Sequence, residues 1–330
     1  MKAPYFEDLQ VGTVFEAAPA LTLTEGHAAL HQAIGGDRLR LAADHTLAGA
    51  VLGAGPPAAH PALVWDTAIG QSTVATGRVI ANLFYRGLML FRPVRLGDTL
   101  RTTTEVVARR ENRAREGRRP TGLAVLRIRT ADQEARPVLD FTRCAMLPLR
   151  DAPTGAAGDP VGEAADLEPG PLRSAAAALD LETYRAAVPG PHFDAVGDGW
   201  ATEPDGGDVV DSAPALARMT LNVAMAHLDA GGAAHGRRLV YGGHTIALAA
   251  GQAAQALPAL VTILGWHAAD HTAPVFEGDT LHSRIALERR DPLPGGGGLV
   301  HLRSQVSATR AAGDEAREPV LDWRFVGVLA

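Results

Sequence analysis

Two stretches hold groups that could do chemistry together. "TLNVAMAHLD" carries Asn222 and His227, and "RRLVYGGHTIALAAGQ" carries Tyr241, Gly242, Gly243 and His244. A histidine titrates near neutral pH and so has the chemistry of a general acid/base, although a lone histidine on an Ala- and Met-rich segment is more often a satisfied or exposed residue than a catalyst. Asn222, five residues before His227, cannot take a proton. The second stretch begins as an apolar strand and becomes an Ala-rich helix. The first N–H groups of a helix are unpaired and sit at the positive end of its dipole. Glycine at that point lets a ligand approach them. Donors placed so can stabilise a carbonyl oxygen that gains negative charge in a transition state. Gly242 or Gly243 would supply them, with Tyr241 and His244 bordering the pocket. The competing reading is that the glycines only let the helix pack closely on a neighbour. A further condition applies to Asn222 and His227. Five residues advance about 500° in a straight helix, so the two side chains converge only if the chain bends or unwinds between them.

Other chemistries find less support. No P-loop, dinucleotide fingerprint, zinc spacing or nucleophile elbow occurs. "GWHAADHTAP" places His267, Asp270 and His271 together, but His267 and His271 precede a "PV..GDTL" strand, where neighbours alternate faces, so no metal site is expected. "DPLPGGGGL" reads as a flexible hairpin loop, since no helix follows it to cradle a phosphate.

The elements that must position these groups occur twice. "FRPVRLGDTLRTTTEVV" (91 to 107) resembles "TAPVFEGDTLHSRIALE" (272 to 288), with "PV..GDTL" offset by 181. "ALVWDTAIGQS" (62 to 72) matches "GHTIALAAGQA" (243 to 253) at the same offset. "VLDFTRCAML" (138 to 147) matches "VLDWRFVGVL" (320 to 329) at 182. Three ordered matches imply one fold repeated. Each half reads as one long buried helix followed by alternating strands, which is an α+β layer architecture. The expected units are 1–149 and 191–330. The stretch from 150 to 190, rich in Pro, Gly, Ala and acid, reads as a linker.

The 31 basic and 37 acidic residues leave a net charge of −6, against a nucleic-acid or anionic-membrane surface. Cys144 is the single cysteine, so no intrachain disulfide forms. No apolar run approaches the ~18 residues of a membrane span, and "MKAPYFEDLQ" is no signal peptide. A cytoplasmic protein is expected, with homo-oligomer formation left open.

These residues resemble the MaoC-like, R-specific enoyl-CoA hydratases. In that family the motif Gly-Asp-x-Asn-Pro-x-His is followed by a His-Gly turn that opens a central helix. Asn222 falls on its Asp, His227 on its His, and Tyr241-Gly242 on its turn. "YFEDLQVGTVFEAAPALTLTEGHAALHQAIGGDR", "ANLFYRGLMLFRPVRLGDTL", "GRRLVYGGHTIALA" and "HTAPVFEGDTL" are similar to the double hot-dog branch typified by mesaconyl-CoA hydratase (β-methylmalyl-CoA dehydratase). There, too, an Asn takes the place of the Asp.

The resemblance implies a double hot-dog fold: two tandem units, each a long helix wrapped by an antiparallel sheet. It implies a hydro-lyase acting on an α,β-unsaturated acyl-CoA, with no cofactor beyond the CoA of the substrate. A substrate carboxylate would need a cation, for which Arg218 and Arg238 are candidates. The first half keeps Gly36-Asp37 but has Ala42 at the histidine position, and His60 is followed by Pro61 in place of glycine. It therefore reads as a degenerate copy that shapes the pocket. Two rivals stand beside this reading. A hot-dog thioesterase would use Asp229 or Asp270 to activate water, and an acyl-CoA-binding protein would have no turnover.

Overall fold

The computed structural model describes all residues except 1, 115, 155–157, 160–165, 233–235 and 312–315. Its strands are β1 (Val14–Phe15), β2 (Leu21–Thr22), β3 (Ala81–Leu90), β4 (Thr99–Glu111), β5 (Thr121–Ala131) and β6 (Pro137–Pro148), then β7 (Ala201–Thr202), β8 (Asp208–Val209), β9 (Leu260–His271), β10 (Thr280–Pro292), β11 (Gly298–Thr309) and β12 (Arg317–Leu329). The helices are α1 (Glu25–Gly35), α2 (Arg40–Ala43), α3 (His45–Leu52), α4 (Pro61–Ser72), α5 (Pro169–Ala176), α6 (Leu181–Ala187), α7 (Ala213–Met219), α8 (Met225–Leu228) and α9 (Gly242–Ala256).

The sheet runs β1-β4-β5-β6-β3-β9-β12-β11-β10-β7, with β2 on β4 and β8 on β10. Exchanging the halves leaves that order unchanged. The two units join at its centre, where β3 pairs antiparallel with β9. Details repeat as well. Gln71 donates to the Leu100 carbonyl and Gln252 to that of Leu281. Asp98 accepts from the Arg95 N–H and Asp279 from that of Phe276. Both "PV..GDTL" segments thus occupy the same place in their halves.

Helices α4 and α9 are buried almost throughout, which explains their small and apolar residues. Each is approached by the opposite unit. A Cβ on Gly70 in α4 would lie 1.9 Å from the Thr220 carbonyl oxygen, and one on Gly251 in α9 would lie 2.9 Å from those of Gly35 and Gly36. Only a residue without a side chain permits these crossings. The segment expected as a linker also contains α5 and α6, whose Leu172, Ala175, Ala176 and Tyr184 are buried in the common core. Its Pro- and acid-rich composition hid these helices. Pro169 starts α5, where a missing N–H costs nothing, and Asp180 caps α6 through the Thr183 N–H.

Candidate active site

The chain does bend between Asn222 and His227. Helix α7 ends in a Schellman arrangement, in which Leu221 N–H donates to the Arg218 carbonyl and Asn222 N–H to that of Ala217. Leu221 takes the left-handed conformation (φ 58°) that this motif requires. The chain then turns into α8, which carries His227. Bonds to the other unit fix the turn: Val223 N–H donates to Thr73 Oγ1 and Met225 N–H to the Gly77 carbonyl. A helix-ending motif therefore does what an Asn-Pro pair would have done.

Both side chains line a cavity of about 200 Å³ between the units. From the C-terminal unit come Asn222, His227, Tyr241, Gly242, Thr245 and His271. Tyr85, Asn82 and Arg143 come from the N-terminal unit. Ile69, Val79, Leu239 and Val275 make the rest largely apolar.

Hydrogen bonding settles how the polar groups face. His227 Nδ1 lies 2.8 Å from the Leu239 carbonyl oxygen. A carbonyl only accepts, so Nδ1 carries the proton and Nε2 keeps its lone pair. Burial, with a smaller contribution from nearby Arg143, holds the His227 pKa down to about 4, so the ring is neutral at pH 7. Asn222 Oδ1 accepts from the Ala224 N–H at 3.0 Å, which assigns the amide. Its Nδ2 is buried with no partner among the described residues. The pair thus offers a water one acceptor and one donor.

Helix α9 starts at Gly242, with Tyr241 as its N-cap. His244 N–H is taken by the Tyr241 carbonyl, while those of Gly242 and Gly243 have no acceptor among the described residues. Gly242 lines the cavity. A Cβ there would come within 2.7 Å of His271 Nε2 and 3.3 Å of the Tyr85 hydroxyl.

Three of the sequence expectations need correction. Gly243 does not line the cavity: it faces α4, where a Cβ would sit 2.1 Å from Asp66 Oδ1, so close packing explains it. His244 does not border the cavity either. It is fully buried, its ring is turned toward Ile34 of α1, and burial holds it neutral with a pKa of about 4. Arg218 is exposed and Arg238 pairs with Glu277 at 2.6 Å on the surface, so neither reaches the pocket. Tyr241 does border it, but its hydroxyl is spent on the Asp66 carbonyl at 3.0 Å. Its ring packs 5.8 Å from that of His227.

Sequence reasoning missed Arg143, Asn82 and Tyr85, and considered His271 only as a metal ligand. A β-bulge separates His267 from His271: adjacent Arg324 and Phe325 of β12 pair with Ala268 and Trp266, which leaves His267 as the extra residue between them. His267 bonds His301 at 2.8 Å, while His271 lines the cavity with Nε2 unpartnered. Among the described residues no three His, Cys, Asp or Glu side chains gather as metal ligands. Arg143 was detectable from the repeat, because the aligned residue in the second half is Phe325.

The equivalent place in the N-terminal unit is an apolar pocket of only about 40 Å³. Helix α2 occupies the place of α8, which puts Ala42 where His227 stands. Pro61 replaces Gly242 and Leu90 replaces His271. Asp37 and His60 survive there as a buried pair, 2.7 Å apart.

A two-unit hot-dog architecture with one polar, acid/base-equipped cavity places the chain among the double hot-dog hydratases, and the comparisons agree. It is 30% identical over 308 residues to mesaconyl-CoA hydratase of Cereibacter sphaeroides, covering 91% of this chain and 88% of the relative. It is 28% identical over 314 residues to β-methylmalyl-CoA dehydratase of Chloroflexus aurantiacus, covering 93% and 88%. A double hot-dog protein of Mycobacterium tuberculosis, described as essential for bacterial survival during infection, superimposes with a TM-score of 0.91 at 50% identity over 99% of both chains. A MaoC domain dehydratase from Chloroflexus aurantiacus gives 0.82 at 26% identity, over 99% and 97%. No family model matches the chain. The chain belongs to the MaoC-like double hot-dog family of mesaconyl-CoA hydratase.

Proposed function

We propose that the protein is a hydro-lyase that adds water reversibly across the α,β double bond of a short acyl-CoA thioester, of the mesaconyl-CoA or β-methylmalyl-CoA type. The observation that carries this is the meeting, in one small cavity, of a lone-pair nitrogen on His227, a free amide donor on Asn222 and an unpaired helix-start N–H at Gly242. In hydration, the water oxygen accepts from Asn222 Nδ2 and gives a proton to His227 Nε2 as it bonds to the β-carbon. The electron pair of the double bond moves toward the thioester oxygen, where the Gly242 N–H stabilises the enolate. The imidazolium then returns the proton to the α-carbon, and dehydration is the reverse. No cofactor enters beyond the CoA of the substrate. The N-terminal unit, residues 1–149, contributes wall and support, and the C-terminal unit, 191–330, the acid/base chemistry. A cytoplasmic location agrees with this reading, and among the described residues no helix is long and apolar enough to cross a membrane.

The thioesterase alternative needs a carboxylate beside the carbonyl carbon. Asp270 is engaged by Arg86 at 2.6 Å and Asp229 is exposed; neither lines the cavity, and no other described carboxylate does. The test is a panel of C4 to C6 enoyl-CoAs followed by loss of enone-thioester absorbance, with a thiol reagent in parallel. Hydration without release of free CoA is expected. Release of CoA without hydration would instead identify a thioesterase.

A further inference from the structure

We infer that Arg143 of β6 is the receptor for an anionic group on the acyl chain, so that the N-terminal unit selects a carboxylated substrate for the acid/base pair of the C-terminal unit. The inference rests on the hydratase reading above for the identity of the thioester, but the receptor itself is argued from the cavity.

Arg143 is only 2% exposed and lines the same cavity as His227. An arginine stays charged in any protein environment, so burying it calls for a compensating anion or a full set of acceptors. It has neither. Its Nε donates to Ser72 Oγ at 3.1 Å, and Nη2 donates to the Ser72 carbonyl at 3.3 Å and to Thr76 Oγ1 at 2.7 Å. Nη1 has one long contact, 3.4 Å, to Asn82 Oδ1. All of these partners are neutral, and among the described residues no carboxylate forms an ion pair with it. Its Nε and Nη2 donors are spent on holding the guanidinium in place. Nη1, beside Asn82 on the cavity wall, is left underused.

A half-buried arginine at the equivalent pocket of the first half is treated differently: Arg92 is neutralised by Asp98 and Asp132. Where Arg143 would fall in the second half, the sequence has Phe325. A fixed, desolvated cation with a free edge facing a ligand cavity is a receptor for a carboxylate. The cavity of about 200 Å³ is small, so the carboxylate would sit on a short acyl group, a few bonds from the carbons that react at His227. Such a thioester must be supplied by a reaction that makes CoA esters of short dicarboxylic acids, or consumed by one.

The experiment compares mesaconyl-CoA with crotonyl-CoA, which has no free carboxylate, by hydration rate and by calorimetric binding. The parent should favour mesaconyl-CoA by at least a hundredfold in kcat/KM. Arg143→Gln should lose that preference, falling a hundredfold or more on mesaconyl-CoA and less than fivefold on crotonyl-CoA. Arg143→Lys, which keeps the charge, should retain part of it. Equal losses on both substrates, or a parent that takes crotonyl-CoA as well as mesaconyl-CoA, would overturn the proposal. The parent comparison needs no variant and stands even if Arg143→Gln fails to fold. If the parent hydrates neither thioester yet binds mesaconyl-CoA tenfold more tightly, the hydratase reading fails and the receptor stands. Equal binding would sink the receptor.

Discussion

The 2.8 Å contact from His227 Nδ1 to the Leu239 carbonyl decides which ring nitrogen faces the chemistry. Leu239 lies just upstream of the "VYGGH" turn, so one backbone carbonyl links His227 to the segment that starts helix α9. The same strand-like stretch that delivers Gly242 thus holds His227 in the tautomer that leaves Nε2 with its lone pair.

Removing that ring should cost most. His227→Ala or His227→Gln should lower kcat by about 10² to 10⁴, the usual size of a general acid–base contribution, with an unchanged circular dichroism spectrum. Asn222→Ala should cost less, since the proton acceptor remains and only a donor to the water is lost. Steady-state rates on the best enoyl-CoA decide this. Near-parental turnover by His227→Ala would rule out the mechanism.

Acidity should act at two levels. Burial holds His227, His244, His267 and His271 near pKa 4 in the folded chain, against about 6.5 when unfolded. The unfolded state therefore binds more protons between those values. Stability should be complete above pH 6.5 and be lost progressively as the pH falls toward 4. For the free enzyme, the acid limb of kcat/KM should fall below pH 5.5, well short of the 6.5 of an ordinary histidine. A Tm series from pH 8 to 5 and a pH–rate profile check both. A limb at 6.5 with the fold intact would show that His227 is solvated.

Much of this arrangement was legible in the sequence, for physical reasons. The repeat was readable because two copies of one fold keep the same turn at Gly97-Asp98 and Gly278-Asp279. Asn222 and His227 were readable through their match to the hydratase motif, and Gly242 because a glycine pair is rare at the start of a buried apolar helix. The glycine pair could not be divided from sequence, since consecutive residues at a helix start point in different directions. Gly242 faces the cavity and Gly243 faces Asp66. His244 was misplaced for the same reason. Arg143 was hidden because a strand's charged residue ordinarily marks a solvent face, and here that face is a buried cavity wall.

The divided roles of the two glycines give a prediction. Gly242→Ala would put a Cβ against the ends of His271 and Tyr85, which line the cavity. It should lower kcat/KM about a hundredfold, comparable to loss of an oxyanion donor, with Tm within a few degrees of the parent. Gly243→Ala would drive a Cβ into the buried Asp66 carboxyl and the Tyr241 ring. It should appear as a stability loss, with a strongly lowered Tm or insoluble protein. Thermal unfolding and rate measured on both variants separate the two. The reverse assignment of effects would mean that the helix start faces the substrate through Gly243.

The last prediction concerns the pair that the first half retains. Asp37 Oδ1 lies 2.7 Å from His60 Nε2 and 2.8 Å from the Leu39 N–H. His60 Nδ1 accepts from the Ala62 N–H at 3.0 Å, so Nε2 carries the ring proton. Burial works to raise the Asp37 pKa, but His60 and the Leu39 N–H outweigh it, and the carboxyl stays below its ordinary value. The two residues are therefore held as a close buried contact, with Asp37 bonded to the Leu39 N–H and His60 to the start of helix α4. Their stabilisation is present above the ordinary carboxylate pKa of 3.8 and is lost as the pH falls through the lower folded value. Asp37→Asn keeps an acceptor for Leu39 but removes the charge. It should cost about 1 to 3 kcal/mol of stability, the scale of a buried charged hydrogen bond, and leave kcat on the best enoyl-CoA within about threefold. Neither Ala42 nor Leu90 beside it can take a proton, so the pocket has no acid/base partner to lose. A hundredfold fall in kcat for soluble, folded Asp37→Asn would move the chemistry into the N-terminal unit.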